Sequence, residues 1–255
     1  MTGYLQTVEW SIPQFILVLG AGLVAAAIAS IAIVAAGAEL TITALVWTII
    51  AQNVGSLLAL LYLSRRKGTG NLATDFGLEI HLRHWWGLPA GAALQFAAAI
   101  LTAPLVRLLF PDGPPQQGIV TITEESQTVF DAALLIVALG ILAPLWEEMT
   151  FRGMLLSRLV RSMAVWSAIM TQAAVFALIH LADPQAIAAI PGLFLIAAVL
   201  GYAALKSGNL SLPITLHAGV NLTAALLLLY GGDLLVWLEE FSGVEPTEAL
   251  LRLVP

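Results

Sequence analysis

The sequence predicts an all-α, polytopic transmembrane helix bundle of about seven spans, with six to eight as the range. Three observations carry this. The 255 residues are 60% hydrophobic and 10% charged, whereas a soluble domain has nearer half apolar and about a quarter charged residues. Long apolar runs recur, each near the roughly 20 residues that a helix needs to cross a bilayer. The runs are rich in Ala and Leu and lack the alternating pattern of a strand, so helices rather than a barrel are expected.

Candidate spans lie at about 12–36, 40–63, 85–110, 130–150, 165–182, 185–206 and 210–230. The first follows a segment without Lys or Arg and is too long for a signal-peptide core, so it reads as a retained span. Ser64 to His84 and Pro111 to Gln127 read as polar loops, with His81 and His84 solvated in the first. Turns are expected at Ala182-Asp183-Pro184 and Ser207-Gly208-Asn209. Trp85 and Trp86 stand where an interfacial aromatic belt would place them, and Pro191-Gly192 suggests a kink. A stretch near 234–241 is too short and acidic to span and suggests a separate interfacial helix. The whole chain, 1–255, reads as one integral membrane domain whose motif-bearing core is about 130–230.

Charge excludes one class and orients the bundle. A net charge of -6 argues against a nucleic-acid partner. Arg65, Arg66, Lys67, Arg83, Arg158, Arg161 and Lys206 fall in alternate connections, which are therefore expected to be cytoplasmic. With no cysteine there is neither a disulfide framework nor a thiol nucleophile.

Ionisable residues inside spans point to function. Glu148 and Arg152 are four apart, with the acid on the N-terminal side, which favours an ion pair on one helix face. Glu147 lies about 100° round the helix, so it faces elsewhere and reads as the working carboxylate. His217 and Asn221 share a face in the same way. A single helix from Asp131 to Ala182 would be on the order of 78 Å long, so it must turn near Arg158, Arg161 and Ser162. With the turn between Met163 and Ala164, Glu147 and His180 stand equally far from it and face each other. His217 lies nearer its own turn, so a shared depth requires the arginine-rich hairpin tip to protrude.

"EEMTFRG", "FALIH" and "HAGVN" resemble the ordered motifs of the CPBP family (CAAX protease and bacteriocin-processing), also called the Abi family: Glu-Glu-x-x-x-Arg, Phe-x-x-x-His and His-x-x-x-Asn. The resemblance covers about 144–221. It implies a glutamate-dependent intramembrane endopeptidase of CAAX-protease type, with Glu147 as general base. His180, His217 and Asn221 would be the other catalytic residues, and Glu148, Arg152 and Phe176 would support them. The implied partners are the bilayer and a peptide or protein substrate, lipidated or membrane-associated. The implied location is a bacterial or archaeal-type plasma membrane, with the site open toward the cytoplasm. The metal is left open: Glu147, His180 and His217 would hold a zinc ion if one binds, but a metal-free site is slightly favoured. Three other classes compete: a non-catalytic membrane or bacteriocin-immunity protein, a proton-coupled transporter relaying through Glu147 and the histidines, and a bis-histidine haem protein.

Overall fold

The computed structural model describes residues 8–37, 41–115 and 128–242, the side chains of 232–242 excepted. Its elements are α1 (Ile12–Ala35), α2 (Ile42–Lys67), the short α3 (Leu72–Phe76), α4 (Gly87–Leu109), α5 (Val129–Leu159), α6 (Val165–Ile179), α7 (Ile190–Ser207) and α8 (Ser211–Ser242). Seven segments among the described residues are long and apolar enough to cross a membrane, and they fall on the seven expected spans.

α5 is the centre of the bundle. All eight residues of Met149–Leu156 are buried, Arg152 among them. α1 packs beside α2 and turns Ile16, Leu23, Ile28 and Ile31 outward, as suits a lipid-facing helix. α4 lies along α8. Gly91 allows this, because a side chain there would run into the Leu216 carbonyl, and Gly219 does the same against Leu88. Such small-residue contacts take over where apolar burial gives no drive for helices to associate in lipid.

α5 is not a regular α-helix. Its hydrogen bonds widen to the π pattern at Ala138–Leu142 and again at Met149–Leu156. Such segments concentrate at functional sites, because they free carbonyls and re-aim side chains. Asn53 of α2 donates to the Ala138 carbonyl (3.0 Å) and accepts from Trp146 Nε1 (2.7 Å), clamping the first widened turn from one side.

Four expectations need correction. The segment from Ser64 to His84 is not a solvated loop: α2 continues to Lys67, and Asp75 and Phe76 are fully buried. Burial alone would raise the Asp75 pKa. Hydrogen bonds from Ser64, Thr69 and the Gly70 N–H outweigh it and hold this carboxyl below the usual carboxylate range. Phe76 stacks on Trp10 and lies against Gly153 of α5, so this connection braces the central helix. His84 is buried rather than solvated, with its carbonyl accepting from Thr215; His81 is the exposed one of the pair and bonds Glu79. Pro191 does not kink a helix. It sits in the first turn of α7, where a 3₁₀ run over Pro184–Ala189 passes into α-helix and a missing N–H costs nothing. The stretch near 234–241 is no separate helix, since α8 runs unbroken to Ser242. The part of the second polar loop at 116–127 and the tail beyond 242 lie outside the described residues.

The α5–α6 hairpin turns over 160–164, slightly ahead of the expected point. Phe151 and Phe176, which are equally far from the expected turn, meet edge-to-face with ring centroids 5.0 Å apart. The levelling therefore holds despite the π segments.

Candidate active site

Glu148 is the junction of the site. Its Oε1 accepts from Arg152 Nη1 at 2.8 Å and from His217 Nδ1 at 2.7 Å. Neither the Glu148 nor the Arg152 side chain has any exposed surface. The pair expected along one helix face is therefore present, and it does more than neutralise charge: it orients an imidazole on α8. Arg152 has further partners. Its Nη2 donates to the Ala197 carbonyl at 3.1 Å, and Gln172 Nε2 donates to the same oxygen at 2.9 Å. The Phe176 ring lies under the guanidinium at 4.9 Å, a desolvated cation–π contact of about 2 kcal/mol.

Phe176 also touches both histidines, with centroids 5.0 Å from His180 and 5.8 Å from His217. It is the wall that gathers the second and third motifs. His180 ends α6, and its Nδ1 lies 2.8 Å from the Phe176 carbonyl. A carbonyl can only accept, so Nδ1 carries a proton and, in a neutral ring, the lone pair sits on Nε2. The same reasoning holds for His217, whose Nδ1–H donates to the Glu148 carboxylate.

Glu147 behaves differently from its neighbour. It keeps 13% of its side-chain surface, and its Oε2 lies 3.6 Å from His217 Nε2. Glu148 is sealed, with Oε1 shared by Arg152 and His217, whereas Glu147 faces the remaining nitrogen of His217.

Asn221 is one helical turn beyond His217 but is not bonded to it. Its Nδ2 donates to the Leu139 carbonyl at 2.9 Å, in the first π segment of α5. Thus Glu147, Glu148, Arg152, Phe176, His180 and His217 converge, and Asn221 flanks them. The depth conflict is resolved as required: with His217 level with Glu148 and the helices antiparallel, the α5–α6 tip reaches on the order of 9 Å past the start of α8.

The two Nε2 lone pairs, each fixed by a bonded Nδ1–H, have the electronic form of metal ligands. The spacing does not follow: among the described residues no three His, Asp or Glu side chains are grouped to hold a metal ion. As placed, the residues do not fit a bound zinc.

The sequence reading missed Asn53 and Gln172. Both are uncharged amides within spans, and their position inside apolar runs was the available signal. Their importance lies in partners from other helices.

Residues 129–223 match the model of a family described as Type II CAAX prenyl endopeptidase Rce1-like. This segment is similar to that family. It runs from the start of α5 to two residues past Asn221 and contains all three motifs, in keeping with the resemblance read from them. No curated protein and no solved structure matches the chain. Within the Rce1-like segment the charged pair, the Phe176 wall and both histidines face one another, while α1 to α4 brace it from outside.

Proximity of the first two motifs is directly testable. Cysteines placed at 147 and 180 in this naturally cysteine-free chain should cross-link. Efficient linkage of 150 to 180, with none between 147 and 180, would show that the hairpin is out of register.

Proposed function

We propose that the protein is a membrane-embedded endopeptidase of CAAX type, in which Glu147 activates water against a peptide bond held near the membrane. One observation carries this: of two adjacent carboxylates, Glu148 is buried and bonded by Arg152 and His217, while Glu147 stays partly exposed beside a histidine nitrogen.

The roles follow from that geometry. Glu147 takes a proton from water as the oxygen bonds to the carbonyl carbon. The tetrahedral oxyanion then collapses, the C–N bond breaks, and the proton passes to the leaving amine. His217, held by Glu148 through Nδ1, turns Nε2 toward Glu147; that nitrogen receives the proton Glu147 takes from water, and as Nε2–H it stabilises the oxyanion before the proton goes on to the amine. Glu148 keeps that ring oriented. His180, tied through Nδ1, presents Nε2 to the water or substrate.

The substrate class is a peptide or protein carrying a lipid or lying at the membrane, as the family's description suggests. Lys67 at the end of α2, Arg161 paired with Glu9 beyond α5, and Gly77 bonded to Leu210 before α8 lie toward one end of the bundle. Its basic residues favour the cytoplasmic side, so we place access there.

The water-activating role needs no obligatory metal in this reading. Purified protein stripped with a strong chelator should keep most of its cleavage of a farnesylated CAAX peptide. About one zinc per chain, with activity lost on chelation and restored by zinc, would overturn this. His180→Ala should slow cleavage without changing zinc content; a parallel fall in bound zinc and rate would support the metal.

A further inference from the structure

Pro144 creates a defect in α5 that another helix repairs. In a regular α-helix the Ala143 N–H would bond the Leu139 carbonyl. Here the widened turn sends it to Ala138 instead. The donor next in line for Leu139 is residue 144, a proline with no N–H. The Leu139 carbonyl, part-buried against α8, is thereby denied both helical partners, and a carbonyl left unpaired away from water is costly. The Asn221 amide, arriving from α8 at 2.9 Å, bonds it. The approach is close because Gly140 has no side chain: a Cβ there would collide with Leu222, the neighbour of Asn221.

We propose that Asn221 is a positioning residue: its amide supplies the N–H that Pro144 denies to Leu139, and this contact fixes the register of α8 against α5. The helices are then joined at two rungs, Asn221 to Leu139 and His217 to Glu148. The first rung places His217 Nε2 beside Glu147. The catalytic consequence of this contact rests on the peptidase reading above.

The test is repair of the backbone. Asn221→Ala should lower kcat for a farnesylated CAAX peptide by about tenfold or more, with KM little changed, on the scale of one unsatisfied buried acceptor. Adding Pro144→Ala returns an N–H at residue 144 in register for Leu139. The double variant should recover most of the activity of Pro144→Ala alone. A group that touches the reacting atoms cannot be replaced by a backbone N–H bonded to the Leu139 carbonyl, so no recovery while Pro144→Ala is active overturns the proposal.

A second arm does not depend on cleavage. Amide hydrogen exchange across 138–146, measured on full-length protein in detergent, should quicken in Asn221→Ala and slow again in the double variant. Unchanged exchange in Asn221→Ala, or no slowing in the double variant, overturns the proposal even if Pro144→Ala is inactive. Exchange that follows this pattern in a protein that cleaves no peptide keeps the positioning role and counts against the peptidase reading alone.

Discussion

Glu147→Gln should abolish peptidase activity, by about 10²–10⁴-fold on the scale of a lost general base, and leave the protein folded. The change keeps the size and shape of the side chain while removing its basic oxygen, and the rest of the site does not lean on it. Glu148 already satisfies Arg152 and the Nδ1 of His217. Expression, thermal midpoint in detergent and helix content should match the wild type, while cleavage of a farnesylated CAAX peptide disappears. If Glu147→Gln remains active, and Glu148→Gln is inactive but well folded, the roles of the two carboxylates are reversed.

The largest expected effect on stability is at Arg152. Arg152→Ala leaves Glu148, which has no exposed surface, as a buried carboxylate with only His217 to meet it. Breaking one side of such a pair costs about 3–5 kcal/mol. Thermal unfolding in detergent should therefore show a markedly lower midpoint. Arg152→Lys should recover little, because an ammonium cannot present a flat fork to Glu148 and the Ala197 carbonyl while lying on the Phe176 ring. Removing both charges together, as Glu148→Gln with Arg152→Met, should restore much of the stability. It should not restore activity, since His217 has lost the carboxylate that orients it. An unchanged midpoint in Arg152→Ala would mean that the pair is not sealed from solvent.

These residues also show what the sequence made legible. The span count followed from the number and length of the apolar runs, because a helix in lipid must satisfy its own backbone and so needs a long apolar run. Glu148 with Arg152 was legible from spacing. Glu147 and His180 were aligned by distance from a turn, and the Phe151–Phe176 contact shows the same alignment. Less was readable where tertiary partners decide the structure. Asp75 and Phe76 sit in a short polar stretch without periodicity, and only the contacts with Trp10, Ser64 and Gly153 bury them. The π segments leave no pattern in hydropathy; Pro144 is the one local sign of the first, and it gains meaning only with Asn221 opposite. Gln172 looks like a stray amide until Arg152 and Ala197 arrive from other helices.

The central claim, a peptidase whose chemistry depends on Glu147, is tested most directly in membranes. Wild-type protein and Glu147→Gln are produced at equal levels in otherwise identical cells, and the protein termini in the two membrane fractions are mapped by mass spectrometry. The account predicts a set of new cleavage termini, in membrane-associated or lipidated proteins, that is present with the wild type and missing with Glu147→Gln. Identical termini in the two fractions would contradict it.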